Sequence, residues 1–93
     1  MRRELITDEA LAASLKTLDG WVAEDNELRR QYKFENFGEA LAFVNRVGEV
    51  AEEADHHPDI CFGWGYANLV LTTHDRGGIT DVDIALAQRI DSV

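Results

Sequence analysis

Between Asn36 and Pro58 the chain repeats apolar residues at helical spacing: Phe37, Ala40, Leu41, Val44, Val47, Ala51 and Ala54. Intervals of three and four place them on one face of an α-helix. Asn36 followed by Glu39 resembles a capping box at its start. Pro58 closes it, because the ring disfavours helical geometry at His57 and removes a backbone donor. A long helix with one apolar face needs a partner layer, and 93 residues hold material for a single core. The expectation is one domain over residues 1–93, its partner layer built from whatever flanks this helix.

What flanks it alternates. Leu28, Arg30, Tyr32 and Phe34 interleave with Arg29, Gln31 and Lys33, and Asp25-Asn26 supplies turn chemistry, so residues 21–34 predict a hairpin. Arg30 interrupts the apolar face, which places its strand near a sheet edge. A second hairpin is predicted from Cys61 to Tyr66, a turn near Ala67-Asn68, and Leu69 to Thr73. Two more helices complete the pattern. The first starts at an N-cap, Thr7, with Ile6 and Leu11 as a hydrophobic staple; Leu11, Leu15 and Leu18 share a face, and Gly20 ends it. The last starts at Thr80, with Asp83 in the capping-box position and Ile79 and Ile84 as a staple; Val82, Leu86, Ile90 and Val93 form its apolar stripe. The order α-β-β-α-β-β-α predicts an α+β fold: a four-stranded antiparallel sheet with three helices on one face.

Charge and cysteine content narrow the function. The net charge is −9, from 18 acidic residues against 9 Lys and Arg. Such a chain repels phosphate backbones, so direct nucleic-acid binding is not expected. Its only basic clusters are Arg2-Arg3 and Arg29-Arg30-Gln31-Tyr32-Lys33, and strand alternation would split the second between two faces. One cysteine, Cys61, excludes an internal disulfide framework. The N-terminus carries no uninterrupted apolar run, and nothing approaches the roughly 18 apolar residues of a membrane span. A cytoplasmic location without membrane attachment is expected.

All three histidines, His56, His57 and His74, fall between Asp55 and Asp75. With Cys61 they would make four N/S ligands, the number a structural zinc takes. Against a metal, adjacent helical residues point about 100° apart, and the usual paired ligand spacings are missing. No metal is therefore expected. A purely structural role is the common fate of a histidine near a helix end, but here it would have to be invoked three times. Acid–base chemistry uses more of what is present. Imidazole titrates near pH ~6.5, so protonated and neutral copies can coexist. The end of the middle helix favours imidazolium at His56 or His57, and Asp55 and Asp75 flank the rings. Phe62, Trp64 and Tyr66 offer flat apolar surface for a planar ligand. No nucleophile is evident, since Cys61 has no basic neighbour and Ser14 and Ser92 lie far along the chain.

The run Glu52, His56-His57-Pro58, Trp64, His74 and Asp83, with its spacing, resembles the signature of the pterin-4a-carbinolamine dehydratases. The likeness extends through "FENFGEALAFVNRVGEVAEEADHHPD" and "LTTHDRGGITDVDIALAQRI" to nearly the whole chain. It implies dehydration of 4a-hydroxytetrahydropterin to quinonoid dihydropterin, a step in pterin recycling, with no metal or organic cofactor. Carried over by position, His56, His57 and His74 would be the catalytic and binding imidazoles, and Asp55, Thr72, Thr73 and Asp75 would line the pterin site. Ile60 stands where many members carry an aromatic. Asp83 belongs to the signature, yet capping the last helix accounts for it, and it is assigned to structure. The resemblance also implies a homodimer or homotetramer joined through sheet edges. The competing reading is a binding module with a protein partner, because some relatives act as transcription-factor dimerisation cofactors or resemble RuBisCO assembly chaperones.

Overall fold

The computed structural model describes residues 4–93; the Arg2-Arg3 pair lies outside the described residues. Three helices, α1 (Asp8–Leu15), α2 (Phe37–Ala54) and α3 (Asp81–Ile90), accompany four strands, β1 (Val22–Glu24), β2 (Glu27–Lys33), β3 (Asp59–Gly63) and β4 (Tyr66–Leu71). All strand pairs are antiparallel and the spatial order is β1-β2-β4-β3. The predicted α-β-β-α-β-β-α architecture is the observed one.

Register explains how the core forms. Leu28 pairs with Leu71, Tyr32 with Ala67, and Ile60 with Leu69, so these side chains emerge on one face of the pleat. There they meet Phe43 and Val47 of α2 and Ile84, Leu86, Ala87 and Ile90 of α3 in one buried cluster. The opposite face is mixed, carrying Gln31, Lys33, Asn68 and Cys61 together with Val22, Tyr66 and Val70.

Caps are built much as their sequences imply. Thr7 accepts from the Ala10 amide at 3.1 Å. Asn36 accepts from the Glu39 amide at 2.9 Å, while the Glu39 carboxylate returns to the amide of Glu35, one residue earlier than a standard box. Thr80 and Asp83 form a full capping box.

Four expectations need correction. The second hairpin turns at Trp64-Gly65, with Gly63 opposite Tyr66, and Ala67-Asn68 lies inside β4. Gly65 takes φ +82, where glycine alone carries no Cβ penalty, and this outweighs the turn preference of an asparagine. In α2 the core face runs through Ala40, Phe43, Val47 and Ala51, whereas Phe37 and Leu41 are 43% and 39% exposed. The helix carries two apolar stripes, and its seating on the sheet selects the one containing Phe43; Phe37 stacks on Phe62 instead, ring centroids 5.6 Å apart. Strand β2 lies inside the sheet order, although β1 pairs only with Glu27 to Arg29, so Arg30 sits where that edge opens. Val93 lies beyond the end of α3 and is exposed.

Candidate active site

Helix α2 ends earlier than its proline requires. Asp55 adopts a left-handed conformation (φ 51°, ψ 40°), and its amide closes on the carbonyls of Ala51 and Glu52. Aspartate is among the few non-glycine residues that visit this region readily. The sharp exit turns the chain at Asp55, so His56 and His57 leave the helix in different directions. His56 folds inward and is buried. His57 stays outside, its Nε2 paired with the Glu52 carboxylate from the last turn of α2.

The second contribution comes from the exit of β4. The Thr72 hydroxyl donates to the Asn26 carbonyl at 3.0 Å, tying the strand end to the β1–β2 turn. Thr73 and Gly78 form an isolated antiparallel bridge, which closes a small loop containing a 3₁₀ turn, His74–Arg76. Gly77 completes the loop at φ +76. His74 and Asp75 are thereby presented at the surface beside the α2 exit. Among the described residues the His74 ring forms no hydrogen bond or ion pair with a protein group.

These pieces enclose a cleft of about 320 Å³ lined by Asp55, His56, His57, Thr72, His74 and Asp75. Two imidazoles separated by seventeen and eighteen positions in sequence from the third thus meet one concave surface, with two carboxylates at its rim. That size suits a compact ligand. A second cavity, about 410 Å³, lies between α2 and α3 and shares only Asp55 and His56 with the first. Its remaining lining is apolar apart from Arg89, so the proton-transfer groups concentrate in the smaller cleft.

Asp83, reached from a different part of the chain, lies behind His56 and is fully buried. Its Oδ1 is 2.5 Å from His56 Nε2. Its Oδ2 accepts from the Thr80 amide at 2.9 Å and from the Thr73 hydroxyl at 2.8 Å. The capping role expected of Asp83 is present, and the other carboxylate oxygen adds a direct hold on a site imidazole. Sequence reasoning attributed Asp83 to the cap alone. The contact spans 27 positions, and only its place in the signature hinted at more. Glu52 was likewise part of that signature without an assigned partner.

Several sequence-derived candidates lie elsewhere. Thr73 is fully buried and its hydroxyl serves Asp83 and Thr80, so it stands behind the cleft rather than in it. Trp64 is 72% exposed at the β3–β4 turn, Phe62 packs toward Phe37, and neither these nor Tyr66 lines the cleft. Ile60 is partly buried against the core, opposite Leu69. Cys61 is exposed on β3, and no group of three or more His, Cys, Asp or Glu among the described residues is arranged to hold a metal.

The model of the family described as Pterin 4 alpha carbinolamine dehydratase matches residues 4–93. The chain belongs to the pterin-4a-carbinolamine dehydratase family. Relatives provisionally named pterin-4-alpha-carbinolamine dehydratases include one from Rubrobacter xylanophilus, 51% identical over 84 residues, covering 89% of this chain and 78% of the relative. Another, from Nocardia farcinica, is 43% identical over 93 residues, covering 100% of this chain and 98% of the relative. Among solved structures, a transcriptional coactivator/pterin dehydratase from Brucella melitensis superposes with a TM-score of 0.91 at 30% identity, covering 96% of this chain and 97% of that one. A pterin dehydratase-like protein identified as a RuBisCO assembly factor in the alpha-carboxysome gives a TM-score of 0.63 at 26% identity, covering 77% and 83%.

Proposed function

We propose that this chain is a dehydratase of 4a-hydroxytetrahydropterin, producing quinonoid dihydropterin and water as a step of pterin recycling. The observation that carries this reading is the cleft itself, which gathers His56, His57 and His74 with Asp55, Thr72 and Asp75. In the reaction one imidazole takes the N5 proton, the N5–C4a double bond forms, and the C4a–O bond breaks. A protonated imidazole delivers the proton that lets the hydroxyl leave as water. The balance requires one neutral and one charged ring and no redox partner, which is what histidines supply near neutral pH.

A binding-module role is the alternative that the RuBisCO assembly factor suggests. Retention of all three imidazoles favours the enzyme. The test is the decay of 4a-hydroxytetrahydropterin over its uncatalysed loss. His56→Ala, His57→Ala and His74→Ala should each slow it, and the double change of His56 and His74 should cost roughly 10²–10⁴-fold, the usual worth of a positioned acid–base group. A folded double variant with near-normal rates would sink the catalytic reading.

We further propose a homodimer or homotetramer. Strand β3 lies at the sheet edge with its outer side unpaired among the described residues, and Phe37, Leu41 and Trp64 are exposed apolar side chains. Both features favour self-association. Light scattering at micromolar concentration should give at least twice the monomer mass; a monomer there would count against the assembly.

A further inference from the structure

The His56–Asp83 contact lets the proton on one imidazole be placed. Asp83 Oδ2 already accepts two hydrogen bonds, from the Thr80 amide and the Thr73 hydroxyl. Thr73 is itself held by the Thr80 hydroxyl at 2.8 Å. This carboxylate therefore has a fixed orientation, with Oδ1 turned to His56 Nε2 at 2.5 Å. An ionised carboxylate only accepts, so the ring nitrogen facing it must carry hydrogen. The ring nitrogen left for a ligand in the cleft is then Nδ1.

We propose that Asp83 is a positioning residue that holds neutral His56 in the Nε2–H tautomer and so makes Nδ1 the proton acceptor of the site. The kinetic consequence rests on the dehydratase reading; the tautomer does not. In the dehydration, His56 Nδ1 takes the proton from N5, and the resulting imidazolium keeps its Nε2–H bond to Asp83. The proton that leaves with the 4a-hydroxyl comes from an exposed imidazole, His57 or His74. Both rings return to their starting states by exchange with water.

Asparagine at position 83 separates this role from capping. The Thr80 amide and Thr73 hydroxyl both donate, so the amide oxygen must face them and the amide nitrogen must face His56. The cap is retained, while His56 Nε2 is forced to accept and the hydrogen moves to Nδ1. A tautomer reversal of this kind can cost about 10⁴-fold in kcat with the geometry intact, as in the serine-protease triad. The experiment is long-range ¹⁵N–¹H correlation of the histidine rings, in the wild type and in Asp83→Asn, together with kcat and KM. The wild type should show His56 protonated on Nε2, the variant on Nδ1, with the His57 and His74 patterns unchanged. The variant's kcat should fall at least 100-fold while KM moves only a few-fold. Wild-type His56 protonated on Nδ1 when neutral would overturn the proposal, whether or not the variant folds. So would a reversed tautomer with unchanged kcat. If the wild type shows the Nε2–H tautomer but no dehydratase activity, the placement of the proton stands and the dehydratase reading fails.

Discussion

Asp55 carries two duties that a single substitution can part. Its backbone forms the left-handed exit from α2 (φ 51), and its side chain lies at the rim of the cleft. Asparagine is as tolerant of that conformation as aspartate, so Asp55→Asn should leave stability within about 0.5 kcal/mol of the wild type. It also removes a negative charge beside the imidazoles. Loss of that charge favours their neutral forms and should displace the pH–activity profile toward acid. Chemical denaturation and a pH series of kcat/KM measure the two effects separately. An unmoved profile would leave Asp55 with its backbone role alone. At this scale the sequence was a good guide to which residues meet and a poor guide to how they are held. His56, His57 and His74, grouped in sequence by their spacing and resemblance, line one cleft. That Thr73 turns inward, and that Asp83 reaches His56, depends on how α3 packs against the exit of β4. No local pattern encodes that contact.

Element boundaries follow local backbone chemistry wherever one candidate dominates. The Asp25-Asn26 turn was legible because both residues accept positive φ, and they adopt 53° and 63°. The β3–β4 turn was misplaced because Asn68 was read as the turn residue, whereas Gly63-Trp64-Gly65 supplies the reversal. The glycines win, and a Cβ added at Gly65 would come within 3.1 Å of the Phe34 carbonyl oxygen. Gly65→Ala should therefore cost roughly 1–2 kcal/mol from the left-handed backbone alone. In a domain of this size that lowers Tm by several degrees, measurable by calorimetry. An unchanged Tm would mean the turn relaxes freely. The apolar pattern of α2 was legible as a helix but not as an orientation. A helix bearing both Phe37/Leu41/Val44 and Ala40/Phe43/Val47 offers two faces, and only the sheet decides between them.

Across the whole molecule, the ends of the fold are tied at Asp91, just past α3. Its carboxylate accepts from Trp21 Nε1 at 3.0 Å, from Arg30 at 3.2 Å and from the Tyr32 hydroxyl at 2.5 Å. Arg30, which looked like a break in an apolar strand, also lies over the Tyr32 ring, 4.4 Å from its centroid. Burial pushes the Tyr32 hydroxyl well above its usual range, and the hydrogen bond to Asp91 adds to that. The fold thus prefers the neutral phenol. Its contribution is full below the unfolded value of 10.0 and is lost progressively as pH rises above it. Urea midpoints should stay level up to about pH 9 and fall beyond about pH 10, and Tyr32→Phe should flatten part of that fall. An identical alkaline decline in Tyr32→Phe would place the titration elsewhere.

The shared carboxylate at the start of α3 also bears on quality control. The same side chain that starts this helix holds an imidazole of the cleft, so fraying of the first turn of α3 also releases His56. Heat or denaturant should then extinguish catalysis no later than it dissolves the core, a safeguard that arises because one residue closes both the fold and the site.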